Sequence, residues 1–135
     1  DSSILVDFIR NKEEAISYMK ELAEKHIVYT TDINVFELYY GAYLSEYPDK
    51  NAAAVKGLIN TLGVFSTTQE SMEISAKILA ELDKKGQKIE LKDILIAGIC
   101  LLNSCSIATH NKKHFERMNV KIAEYSYGQY YLEYY

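Results

Sequence analysis

The stretch KDILIAGICLL, residues 92–102, sets one aspartate ahead of nine consecutive residues that carry no charge. Asp93 shares a helical stripe with Ile96, Ala97 and Cys100, which lie three, four and seven positions further on. The stripe is apolar, so the segment reads as a buried helix with a carboxylate facing inward in its first turn. An ionised carboxylate removed from water without a partner costs several kcal/mol or changes its protonation state. Something elsewhere in the chain has to hold it.

Working outward, helical and strand-like patterns alternate. Residues 11–25 carry Ala15, Tyr18, Met19 and Leu22 at helical spacing, and HIVYT after them reads as a short buried strand over residues 27–30. Asp32 is placed to cap a helix running to Tyr43. Residues 51–62 form another helical pattern closed by Gly63, and GVFST follows as a strand. Thr67 with Glu70 has the spacing of a capping box. The next helix sets Met72, Ala76, Leu79 and Leu82 on one face and stops at Gly86. After the helix of residues 91–103 come CSIAT as a strand, NKKHFERM as a short helix and VKIAEY as a last strand. Strands separated by helices predict an open α/β sheet with helices on both faces, in one domain spanning residues 1–135. Asp1 stands directly before a helix-like pattern, DSSILVDFIR, where such a sheet normally has a strand first, so a first strand is expected ahead of Asp1.

Composition narrows the class. The 135 residues are 48% hydrophobic and 25% charged, which fits a globular domain and excludes a disordered chain. No apolar run reaches the roughly 18 residues of a membrane span and no signal-peptide pattern is present, so a cytoplasmic protein without a membrane partner is expected. Cys100 and Cys105 lack the spacing of a zinc site and read as reduced thiols. The net charge is −4, yet Lys112, Lys113, Arg117 and Lys121 face only Glu116 in that part of the chain, with His110 and His114 alongside. Such a strip suits a phosphate backbone and equally suits a solvated helix face.

Two more carboxylates share the setting of Asp93. Glu37, in TDINVFELYYGAYL, lies on a stripe with Ile33, Gly41 and Leu44, and Gly41 is expected to admit a close neighbour. Asp1 opens its helix by position. Open α/β sheets place their crevice at the carboxyl ends of the strands, where the following helices begin. Thr109 and Asn111 follow a strand onto that same rim. Three converging carboxylates repel one another unless a cation neutralises them, and an all-oxygen donor set suits Mg²⁺ or Mn²⁺, one ion or two, and not zinc. Singly, each acid serves as well as a helix cap or half of an ion pair. Ser2 and Ser3 are second-tier candidates, as caps or as hydroxyls that orient a ligand.

Four motifs in order, DSSILVDFI, TTDINVFELYYGA, KDILIAGI and IATHNKKHF, resemble the PIN domain, in particular its VapC-type toxins. The resemblance covers essentially the whole chain. It implies a three-layer α/β/α domain with a short, mainly parallel central sheet, and a Mg²⁺- or Mn²⁺-dependent endoribonuclease that inhibits translation until a VapB-like antitoxin blocks it. By the same resemblance Asp1, Glu37 and Asp93 are metal ligands, Thr109 is the hydroxyl after the fourth strand, and a homodimer is expected. The family often has an Asp where this chain has Asn111, and some members have one where it has His114. An amide there still orients water but adds no charge. Lys112, Lys113, His114 and Arg117 are the expected RNA contacts. Two alternatives stand beside this: a PIN-type RNA-processing nuclease without an antitoxin, and a non-catalytic scaffold on the same fold. The terminal AEYSYGQYYLEYY holds six tyrosines, which suit a packed edge or an aromatic interface, as do the pairs Tyr39–Tyr40 and Tyr130–Tyr131.

Overall fold

In the computed structural model, residues 1–123 are described. Helices α1 (Ser2–Ile9) and α2 (Glu13–Lys25) lead to strand β1 (Tyr29–Thr31). Then come α3 (Asp32–Leu44), α4 (Pro48–Ile59), β2 (Gly63–Phe65), α5 (Gln69–Lys84), α6 (Leu91–Leu102) and α7 (Lys112–Arg117). β1 and β2 pair in parallel, Tyr29 against Gly63 and Thr31 against Phe65. A parallel bridge joins Ile107 to Ile122. CSIAT and VKIAEY therefore contribute single paired positions among the described residues, where full strands were expected. Thr30, Thr31, Ile107 and Ala108 line one cavity of about 690 Å³. Asp1 lies at its lining, with its main-chain nitrogen donating to the Ala108 carbonyl.

The side chains divide between two apolar clusters. One gathers Ile4, Leu5, Tyr18, Met19, Leu38 and Leu58 from the first four helices. The other gathers Leu82, Ile94, Ile96, Ala97, Ile107 and Phe115 around α6. The stripe of Ile96, Ala97 and Cys100 is buried as expected, as are Ala15, Tyr18 and Met19 on α2. Both cysteines are free, and burial pushes the Cys100 thiol up to about 11, which keeps it protonated and unreactive.

Four local expectations are corrected. α3 is capped by Thr31, whose hydroxyl accepts from Asn34 N at 3.2 Å, while Asp32 reaches across to accept from Thr67 N at 2.8 Å and Thr67 Oγ1 at 2.9 Å. The capping box is Thr68 with Ser71 rather than Thr67 with Glu70, because Thr67 is already spent on Asp32. α5 turns Ser71, Ser75 and Leu82 inward and leaves Met72 and Leu79 exposed. Its serines allow close approach to α6 at Gly98, and Ser75 Oγ is satisfied by the Ile94 carbonyl at 3.1 Å. Gly41, finally, faces open space, so the tight glycine contact is at Gly98. No described helix is long and apolar enough to cross a membrane. Tyr130, Tyr131 and the rest of the tyrosine-rich end lie outside the described residues.

Candidate metal centre

Asp93 is 4% exposed and does not cap its helix, since the cap position is Glu90 and no side-chain cap bond forms there. Its Oδ2 instead lies 3.1 Å from His114 Nδ1 on α7. The buried Phe115 next to His114 anchors that short helix in the core and so fixes where the imidazole sits. The partner that an inward carboxylate requires is thus a histidine 21 residues further along the chain. Among the described residues, Asp93 Oδ1 accepts no hydrogen bond.

Asp1 does cap α1, its Oδ1 accepting from Ser3 N at 2.9 Å and from Ser3 Oγ at 2.5 Å. Its Oδ2 accepts from Thr109 Oγ1 at 2.7 Å, and Thr109 Oγ1 in turn accepts from Asn111 N at 3.0 Å. Thr109 is completely buried, so its hydroxyl serves to aim Asp1 and does not reach solvent. Ser3 acts on Asp1 as well, whereas Ser2 makes no such bond among the described residues. The Asn111 side chain caps nothing and is exposed.

Glu37 is half-buried and pairs with Lys92, Nζ to Oε2 at 2.9 Å. That hydrogen bond raises the Lys92 pKa, which keeps the ammonium charged. Its helical stripe is less inward than expected: Leu44 is 69% exposed, and α3 buries Asn34, Leu38 and Ala42 instead. The Lys92–Glu37 pair nevertheless brings Glu37 to the start of α6, where Asp93 lies, and Asp1 lines one cavity with Ile96 and Cys100 from the stripe of Asp93.

The three carboxylates each have a donor of their own. Each lowers the cost of its charge by taking a nearby partner. As they stand, no three acid, histidine or cysteine side chains among the described residues are gathered closely enough to share an ion. The donor chemistry nonetheless fits a hard divalent cation: three carboxylates, one of them buried with an unengaged oxygen. Lys92 on Glu37 and His114 on Asp93 are the contacts that sequence reasoning did not supply. The only signal for them was the adjacency of Lys92 to Asp93 and of His114 to the buried Phe115. The exposed Lys112, Lys113 and Arg117 sit on or beside α7, so the basic strip and the acidic rim meet at His114.

The PIN domain model matches residues 1–121. The chain belongs to the PIN domain family. Ribonuclease VapC2 of Haemophilus influenzae is 32% identical over 119 residues, 87% of this chain and 89% of that protein. The tRNA(fMet)-specific endonuclease VapC of Salmonella typhimurium is 31% identical over 118 residues, with the same shares covered. Among solved PIN structures, DNA-bound VapBC of Salmonella typhimurium superposes with a TM-score of 0.81 at 28% identity, covering 91% of this chain and 93% of that one. Rickettsia felis VapBC2 bound to a promoter DNA fragment gives 0.83 at 22% identity, covering 92% and 95%, a likeness of fold. The expected VapC-type resemblance and three-layer PIN fold are therefore borne out.

Proposed function

We propose that this PIN domain is a Mg²⁺- or Mn²⁺-dependent endoribonuclease of the VapC type, an enzyme that cleaves RNA phosphodiester bonds and inhibits translation until a VapB-like antitoxin blocks it. The observation that carries the reading is Asp93: a buried carboxylate with one oxygen unengaged at the start of α6, where the Lys92–Glu37 pair brings Glu37 and whose stripe shares a cavity with Asp1. The relatives named ribonuclease and endonuclease, and the neighbours solved as VapBC complexes, support the activity and the antitoxin.

Asp1, Glu37 and Asp93 would hold the ion, with Ser3 and Thr109 keeping both oxygens of Asp1 in a fixed orientation. A bound divalent cation supplies positive charge against the scissile phosphate and acidifies an attacking water. Asn111 offers its amide to water or to a non-bridging phosphate oxygen at the rim. Lys112, Lys113 and Arg117 grip the RNA backbone, a contact that weakens as salt rises because counterions compete for the phosphates. Lys92, held charged beside Glu37, adds to the positive field that a phosphate meets there.

Asp93→Asn keeps size and hydrogen-bonding capacity but removes the charge. Cleavage of total RNA should fall by about 100-fold or more, since losing several kcal/mol of transition-state stabilisation costs tenfold per ~1.4 kcal/mol. The circular-dichroism spectrum should be unchanged. Wild-type cleavage by that variant, in a preparation free of contaminating nuclease, would overturn the assignment and leave a non-catalytic scaffold as the reading.

A further inference from the structure

Ala108, Thr109 and His110 follow one another in the chain, and each is tied to α1. The Ala108 carbonyl accepts from the Asp1 main-chain nitrogen, and Thr109 Oγ1 donates to Asp1 Oδ2 at 2.7 Å. His110 Nε2 lies 3.3 Å from Asp7 Oδ2. A carboxylate can only accept, so that ring nitrogen carries the proton. Asp1 caps the start of α1 and Asp7 lies in its last turn, a separation of about 9 Å along a helix. The segment is therefore held near both ends of α1, which fixes its direction as well as its place.

The helix itself gains nothing from Asp7. The carbonyl end of a helix disfavours a negative charge, and Asp7 stands there. Its side chain is 16% exposed, and Lys12, just past the helix, meets Oδ1 at 2.8 Å. Lys12 offsets the charge and orients the carboxylate, while Oδ2 faces His110.

The neighbours of His110 are the residues that orient Asp1. Thr109 bonds Asp1 directly, and Asn111 N donates to Thr109 Oγ1 at 3.0 Å. Released from Asp7, the segment would still be pinned at Asp1. It would pivot there, and the Thr109 hydroxyl would turn with it.

We propose that His110 is a positioning residue: through Asp7 it holds residues 108–111 so that Thr109 keeps Asp1 oriented toward the RNA phosphate. The proposal rests on the nuclease reading and deepens it. It separates His110 from the basic side chains beside it in sequence, which grip the RNA backbone.

Two measurements on the full chain test it. Amide exchange followed by NMR reads the segment directly. In His110→Ala the Asn111 and Ser3 amides, which donate to Thr109 and Asp1, should exchange about tenfold faster or more, while amides of α5 keep their rates. In RNA cleavage kcat should fall by roughly tenfold and KM should stay within about twofold, because a small misplacement costs rate rather than uniform binding. The melting temperature should fall by only a few degrees, as for any partly exposed pair. His110→Gln, whose amide nitrogen can still donate to Asp7, should restore both readouts. Asp7→Ala should match His110→Ala, and the double variant should be no worse than either. Unchanged exchange overturns the proposal. So does a raised KM at unchanged kcat, or additive losses, since His110 would then touch the RNA itself. Exchange that responds as stated in a chain whose wild type cleaves no RNA supports the hold on the segment and overturns the nuclease reading instead.

Discussion

Gly98 shows how much one atom decides in this fold. A Cβ built there would meet Ser75 Oγ at 2.1 Å and the Ser71 carbonyl oxygen at 2.6 Å. The serine hydroxyl can rotate away, but the carbonyl belongs to the backbone of α5. Gly98→Ala should force the two helices apart and cost about 1–3 kcal/mol, the usual penalty for overpacking. Urea unfolding followed by circular dichroism measures it, and an unchanged midpoint would show that the α5–α6 contact admits a methyl group. The sequence pattern directs attention to Gly41 instead, because it lies one turn from Glu37; a glycine in a string of letters does not say what faces it. The acids were different. Asp93 was legible because all nine residues behind it are apolar or small, and the mismatch of a charge with that setting is local. Its partner His114 was not legible, since the pairing depends on where α7 docks.

At the scale of elements, helices were readable to within a few residues and strands were not. Helices α2, α5 and α6 match their apolar periodicity in extent because each is a local structure. A strand is as long as its pairing, and here the parallel ladder of β1 with β2 spans three residues. Faces were harder than bounds: α5 was expected to bury Met72 and Leu79, but a large side chain there would hold α6 away from the Ser71–Ser75 surface. α3 shows the reverse, an apolar face left uncovered among the described residues. Phe36, Tyr40 and Tyr43 are 70%, 58% and 62% exposed, and Tyr47 just beyond is 61% exposed. At about 150–250 Å² per aromatic side chain, these four present roughly 500 Å², at the upper end of what a monomer leaves uncovered and most of the ~800 Å² per partner of a standard interface. A second copy of the chain, related by a two-fold axis, is the occupant this face fits, in line with the expected homodimer. Light scattering should give a dimer mass for the wild type and a monomer mass for Phe36→Ser with Tyr40→Ser. A dimer that survives both substitutions would move the interface elsewhere.

Across the whole molecule, the acidic rim lies where the two apolar clusters meet. Asp1 and Glu37 belong to α1 and α3, whose buried residues form the first cluster, while Asp93 belongs to α6 in the second. An ion held by all three would clasp the two halves. The fold does not wait for it, because Ser3 and Thr109, Lys92 and His114 already attend the three carboxylates separately. Chelation should therefore lower the melting temperature by only a few degrees, since a ligand at ten times its Kd stabilises by about 1.4 kcal/mol. Scanning calorimetry with and without EDTA measures this, and a chain that unfolds on chelation would mean that those side-chain partners do not suffice. On the proposed metal-dependent reading, the same feature separates building the domain from arming it: a chain made where divalent ions are scarce would still fold, lie idle, and become competent within the time an ion takes to diffuse in.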